Sequence, residues 1–182
     1  MRRRHRPPPR VPLPRRAVVW FPPAAITQAI EAFRTAHDPL AASLPAHVTL
    51  VFPFESTLTA LQVATHVKRV VARWPQLPLR LEGAEALLGQ WVNLRVTQGR
   101  AAVVELHDRL YRGVLAPFLR SELAFDPHLT LGRVADAADA VALAAAARAL
   151  LAQPVDATLD ALSVCTLASD ARLVHRRDIA LG

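Results

Sequence analysis

The feature that most limits what this chain can fold into is a tetrad written twice. His47-Val48-Thr49-Leu50 returns 81 residues later as His128-Leu129-Thr130-Leu131, within a chain of 182 residues. Successive side chains of a strand point to opposite faces, so each copy puts an imidazole and a hydroxyl on one face and two apolar anchors on the other. Two such strands, meeting across a cleft, would converge two histidines and two threonines on one point. The spacing predicts a repeated architecture in which each half contributes one chemically equipped strand.

Length and composition set the frame around those strands. A chain of this size is expected to form one domain that buries roughly 70% of its unfolded surface, without metal or disulfide staples. Cys165 is the only cysteine, so no intrachain disulfide is possible, as expected of a cytoplasmic protein. No apolar run reaches the roughly 18 residues of a membrane span. Arg15-Arg16 before Ala17-Val18-Val19-Trp20-Phe21 has the look of an export signal, but Pro22, Pro23, Gln28 and Glu31 interrupt it. The net charge of +7 is local: residues 1–16 hold seven arginines, five prolines and no acid, so residues 17–182 sum to zero. The expected organisation is therefore an extended, disordered Arg/Pro-rich arm over 1–16 and a single domain over 17–182. One reading of the arm is a phosphate-attracting segment for RNA. The other, favoured because a basic run alone is weak evidence for a partner, is an unstructured leader or a misplaced start codon. Lys68 is the only lysine among 22 basic residues, a bias that reflects codon composition as readily as selection for guanidinium groups.

Along the chain, the patterning predicts a buried strand over 17–21, stopped by Pro22-Pro23, and a helix over 24–36 carrying Ile26, Ile30 and Phe33. The first tetrad strand spans 46–54, with Pro53 confining its end to an edge. A helix over 57–74, capped by Ser56 or Thr57, precedes a hairpin of 77–83 and 90–97. In its second arm Val92, Leu94 and Val96 alternate with Trp91, Asn93 and Arg95, a buried face and a polar one. Then come a helix over 101–119, the second tetrad strand over 124–134 and an Ala-rich helix over 136–152. Two last strands, 155–167 and 172–179, are joined by a turn at Ser169-Asp170. The order suggests two similar halves of an α+β protein rather than a doubly wound parallel sheet.

The tetrads suit in-line displacement at phosphorus. That reaction needs a base for the attacking oxygen and, on the far side, an acid for the leaving oxygen, and histidine serves both because its unperturbed pKa is about 6.5. Thr49 and Thr130 would hydrogen-bond the non-bridging oxygens as charge develops on them. No cofactor and no metal enter this scheme. His37, His66, His107 and His175 show neither His-x-His nor His-x-x-x-His spacing and are expected at the surface or at helix caps. Trp20, Trp91 and Phe125 have the shape to stack on a base, but core packing is the expected role of each.

The paired His-x-Thr-Leu tetrads resemble the signature of the two-histidine (2H) phosphoesterases, and His47-Val-Thr-Leu-Val-Phe-Pro-Phe54 is most similar to their 2′-5′ RNA ligase-like, cyclic phosphodiesterase branch. The resemblance covers nearly all of 17–182. It implies a bilobal, pseudo-twofold-symmetric fold in which antiparallel sheets line a central cleft with helices outside. It further implies a hydrolase opening 2′,3′-cyclic phosphates on RNA or nucleotides, able in reverse to make 2′-5′ linkages, with His47, His128, Thr49 and Thr130 as catalytic residues. The family often places a phosphate-binding arginine five residues after the second histidine, here Arg133, and an aromatic at the matching place after the first, here Phe52. Both sit at odd offsets from their histidine, so only a bulge or twist would turn them into the cleft. The partner implied is RNA or a nucleotide with a cyclic phosphate end, met by a monomer without a membrane. A non-catalytic RNA-binding module, and a structural or partner-binding domain, are the readings that compete with the enzyme. Retention of both histidines and both threonines favours the enzyme.

Overall fold

A computed structural model describes residues 13–182. Most of the Arg/Pro arm, residues 1–12, lies outside the described residues. The elements run β1 (Arg15–Trp20), α1 (Ala24–His37), β2 (Val48–Glu55), α2 (Ala60–Val71), β3 (Leu77–Leu87), β4 (Trp91–Gln98), α3 (Arg100–Leu110), β5 (His128–Arg133), α4 (Ala137–Leu150), β6 (Val155–Leu159), β7 (Ala161–Leu167) and β8 (Leu173–Ala180), with a 3₁₀ turn over Gly113–Phe118 after α3.

All strand pairings are antiparallel, and the strands form one sheet of order β6-β3-β4-β5-β2-β1-β7-β8. Outward from its centre the sheet reads as two matching halves, β2-β1-β7-β8 and β5-β4-β3-β6, each led by a tetrad strand. The repeated unit is strand-helix-strand-helix: β1-α1-β2-α2 and β4-α3-β5-α4. Its connecting helices are exchanged, since α1 packs on β5 and α3 packs on β2. The second helix of each unit stays at home, α2 on β7 and β8, α4 on β3 and β4.

One apolar core runs beneath both halves, from Val18 and Trp20 through Leu50, Leu94 and Leu129 to Leu159 and Leu162. The tetrad anchors Val48, Leu50, Leu129 and Leu131 are wholly buried in it, a burial that contributes roughly 1.5–3 kcal/mol for each side chain. A smaller cluster of Ala17, Val19, Leu44, Cys165 and Leu167 packs separately, with Leu44 supplied by the loop after α1.

Several expected boundaries move, each for a physical reason. β1 starts at Arg15 rather than Ala17, so the last two arginines of the expected arm belong to the sheet, and Arg16 is buried. The cap of α2 is Thr59, not Ser56 or Thr57, because Thr59 and Gln62 close a reciprocal capping box. The helix expected over 101–119 stops at Leu110, with left-handed Gly113 and Pro117 forcing the tighter turn. β5 starts only at His128. The single strand expected over 155–167 is two: β6 pairs with β3 in one half, and β7, beyond Asp160, pairs with β1 in the other. Among the described residues no helix is long and apolar enough to cross a membrane.

Candidate active site

The tetrad strands keep the predicted alternation. Val48, Leu50, Leu129 and Leu131 face the core, while His47, Thr49, His128 and Thr130 are each half-buried on the opposite face. β2 and β5 are joined by one backbone pair, Val48 with Leu129. Counting one residue out from that pair in each direction sets His47 beside Thr130 and Thr49 beside His128. The four predicted catalytic side chains thus form a two-by-two block over the seam between the halves.

Both imidazoles are held in the same way. Nδ1 of His47 lies 2.7 Å from the Pro45 carbonyl, and Nδ1 of His128 lies 2.7 Å from the Asp126 carbonyl, each two residues upstream. A carbonyl only accepts, so the proton of each neutral ring resides on Nδ1 and the lone pair on Nε2. Removal of the His47 ring from water lowers its pKa below the ordinary value; the Pro45 hydrogen bond opposes this, Arg34 adds to it, Asp38 opposes it, and His128 adds to it. The neutral, proton-accepting form of His47 is therefore favoured.

The segment that delivers His47 is fixed from α1. Arg34, 1% exposed, donates to Asp38 Oδ2 from Nε and Nη2 at 3.1 and 2.6 Å, to Glu31 Oε2 at 2.8 Å and to the Leu44 carbonyl at 2.9 Å. Glu31 Oε1 in turn accepts the Ala46 N–H at 2.6 Å. An ionic cluster, most of it buried, thereby clamps the chain on both sides of Pro45, whose carbonyl orients the imidazole.

The bulge that the odd offsets of Phe52 and Arg133 require is present in both strands and at the same place. Between β1 and β2 the register slips past Leu50, from Val19↔Thr49 to Val18↔Val51, and again before Phe54. Between β4 and β5 it slips past Leu131, from Asn93↔Thr130 to Val92↔Gly132. Leu50-Val51 and Leu131-Gly132 are consecutive buried pairs, and beyond them the faces exchange. Each bulge is held by the helix donated from the other half. His107 on α3 donates from Nδ1 to the Leu50 carbonyl at 2.7 Å, and the Phe52 N–H donates to the Tyr111 hydroxyl at 2.9 Å. Gly132 abuts the end of α1, where an added Cβ would come within 3.0 Å of His37 Cβ and its carbonyl oxygen.

A cleft of about 420 Å³ opens over this seam, and Thr49, Thr130, His128 and Phe52 line it. Arg133 stands exposed at its rim, its guanidinium 4.9 Å from the ring centre of Trp91. His47 is not among the lining residues; it sits at the seam with its ring 5.9 Å from Phe21, beside a second recess of about 500 Å³ lined by Phe21, Pro45, Ala46 and Arg176. Two expectations are corrected here, for Trp91 and His107. Trp91 is not a core residue but a wall of the cleft, whereas Trp20 is buried in the core and Phe125 packs against the core while also lining the cleft. On the polar face of β4, Asn93 lies 2% exposed in the cleft floor. His107 is neither a surface residue nor a cap: it is buried, stacked on Phe125 at 3.7 Å and 5°. Among the described residues no three His, Cys, Asp or Glu side chains gather as a metal ion would require.

Comparison with known proteins agrees with this fold. A family model described as the 2′-5′ RNA ligase superfamily matches residues 21–171. A protein of Geobacillus thermodenitrificans strain NG80-2, named "Putative phosphoesterase", is 30% identical over 119 residues, which are 64% of this chain and 67% of that protein. Its counterpart in Geobacillus kaustophilus is 29% identical over the same share of each. Among solved structures, Escherichia coli LigT complexed with 3′-AMP superposes with a TM-score of 0.63 at 22% identity, over 93% of this chain and 99% of LigT. A crystal structure titled simply as a phosphoesterase gives 0.63 at 23% identity, over 92% and 99%. At these identities the two structures speak for the fold.

Proposed function

The chain belongs to the 2′-5′ RNA ligase superfamily, and from that premise we propose that it is a phosphodiesterase that opens 2′,3′-cyclic phosphates on RNA ends or nucleotides with its two histidines and no metal. The observation that carries this reading is the matched pair of imidazoles, each with Nδ1–H spent on a carbonyl two residues upstream and Nε2 left for substrate, set corner to corner with two threonines across Val48 and Leu129.

In hydrolysis, neutral His47 takes a proton through Nε2 from the attacking water, and the depressed pKa of that ring keeps it in the accepting form. The water oxygen bonds to phosphorus as the bond to O2′ or O3′ breaks, and protonated His128 gives its Nε2 proton to the departing oxygen. Thr49 and Thr130 donate to the two non-bridging oxygens, where charge accumulates. The product is a phosphomonoester, and the histidines have exchanged protonation states. With the 5′-hydroxyl of a second ribose in place of water, the same steps, in which the bond to O3′ breaks and O3′ takes the proton from His128, make a 2′-5′ linkage. The occupancy of LigT by 3′-AMP supports a nucleotide in the cleft. With this reading goes a monomer acting in the cytoplasm.

The test is to incubate the purified protein with each nucleoside 2′,3′-cyclic phosphate and with a cyclic-phosphate-ended oligonucleotide, with and without chelator. One phosphomonoester, formed equally with and without chelator, is expected. No product from any of them, or activity lost to chelator and restored by a divalent ion, would overturn it.

A further inference from the structure

The two halves of the sheet differ at one matched position beside the tetrad threonines. Val19 pairs with Thr49 in the first half, and Asn93 pairs with Thr130 in the second. Both are 2% exposed. The fold is therefore satisfied by an aliphatic side chain at this place, and Val19 supplies one. Asn93 brings a carboxamide instead, and its Oδ1 is buried without a hydrogen-bond partner. A buried acceptor left unmade is a standing cost, and among the described residues with such an atom Asn93 alone lines the cleft. Glu85, opposite Asn93 on β3, gives no relief, because a carboxylate only accepts.

We propose that Asn93 is a substrate-binding residue whose amide oxygen accepts a hydrogen bond from the sugar of the bound nucleotide, an inference that rests on the nucleotide reading above. Position in the sheet selects the sugar. The reacting phosphorus lies over the seam of β2 and β5, where the two threonines and two histidines meet. Asn93 stands on β4, one strand spacing of about 4.8 Å farther out. Around it the wall turns apolar and aromatic, through Trp91, Leu87 and Leu88, a surface suited to a base. The group between a phosphate and a base is the ribose, and its hydroxyl is the donor that an unpaired amide oxygen lacks. The matching positions in the first half, Val19 and Ala17, are aliphatic and offer no such acceptor, so the cleft takes its nucleoside in one orientation.

Two variants test this, Asn93→Val, which copies Val19, and Asn93→Ala. Measured without ligand, Asn93→Val should melt no lower than the parent protein. With adenosine 2′,3′-cyclic phosphate both variants should raise KM roughly tenfold, the loss of one hydrogen bond, while kcat changes less. Inhibition by inorganic phosphate should be unchanged, since phosphate alone does not reach β4. An unaltered KM in both variants overturns the proposal. So does a parallel weakening of inorganic phosphate, or a lower melting temperature with an equal loss of kcat in both. If the parent protein turns over no cyclic nucleotide, the proposed reaction fails, and this inference is then decided by calorimetry with adenosine 3′-monophosphate. Binding weakened about tenfold in both variants sustains it; equal binding, or none to the parent protein, overturns it.

Discussion

Val48 and Leu129 are backbone partners at the one pairing between β2 and β5, and both side chains are wholly buried. The two tetrads are thereby fixed to each other through their apolar anchors, and the reactive side chains inherit that precision. General acid or base catalysis typically contributes about 10²- to 10⁴-fold. His47→Ala and His128→Ala should each lower turnover of a cyclic nucleotide by at least about a hundredfold, with a much smaller change in binding. A substrate with a good leaving group should restore His128→Ala far more than His47→Ala. Equal restoration of both would show that His128 is not the acid.

The rate should follow a bell in pH. Its acid limb reports the protonation of His47, whose pKa is depressed chiefly by desolvation, so activity should persist below pH 6.5 before it falls. Arg34 is one of the charges that hold that pKa down, and Asp38 opposes it. Substituting Asp38→Asn should therefore move the acid limb to still lower pH. A limb that stays in place, or rises, would separate it from His47.

His107 links acid stability to the geometry of the cleft. Its folded pKa is lowered, first by burial, against the Leu50 hydrogen bond and Asp108. Below the unfolded value of 6.5 the unfolded chain therefore binds the proton more readily than the native ring does. Stability is complete above that pH and declines as pH falls toward the folded pKa. Melting measured from pH 8 to pH 5 should show this decline, and His107→Gln should flatten it. His107→Ala should cost about 1–3 kcal/mol at neutral pH for the orphaned Leu50 carbonyl alone. A decline of equal steepness in His107→Gln would locate the proton elsewhere.

Arg34 holds two carboxylates and a carbonyl on the segment leading to His47. Removing one member of a buried pair leaves the other charge uncompensated, at roughly 3–5 kcal/mol. Arg34→Ala should lower the denaturant midpoint accordingly, and the folded fraction should turn over more slowly because the Pro45 carbonyl loses its anchorage. Exposed Arg80 with Asp156, an ion pair of similar length, should cost far less when broken, because water screens it. Equal costs at the two sites would contradict the clamp.

What the sequence disclosed and what it withheld divide along physical lines. Period-two alternation exposed the tetrad strands, their inward faces and the convergence of His47, Thr49, His128 and Thr130, because burial on one face writes itself into every second residue. Periodicity is blind to a bulge, however: Leu50-Val51 reads as a continuous apolar run, and only the odd offset of Phe52 signalled that the faces must exchange. Alternation marked the face of β4 that carries Asn93 as polar, but sequence cannot distinguish water from a cleft floor, and Asn93 was passed over. Arg34 looked equally ordinary, although acids three residues before it and four after, at Glu31 and Asp38, are the spacing from which a helix can close a cluster. The division of 155–167 was hidden because both pieces are strands, and Asp160 alone marks the crossing between halves.

The exchange of α1 and α3 between the halves has a mechanical result. Because each half-sheet carries the other's helix across the seam, the lobes cannot hinge apart without stripping α1 from β5 and α3 from β2. The distance between the two imidazoles is therefore a property of the folded state as a whole rather than of a flexible joint, and the protein should melt in one cooperative transition instead of lobe by lobe.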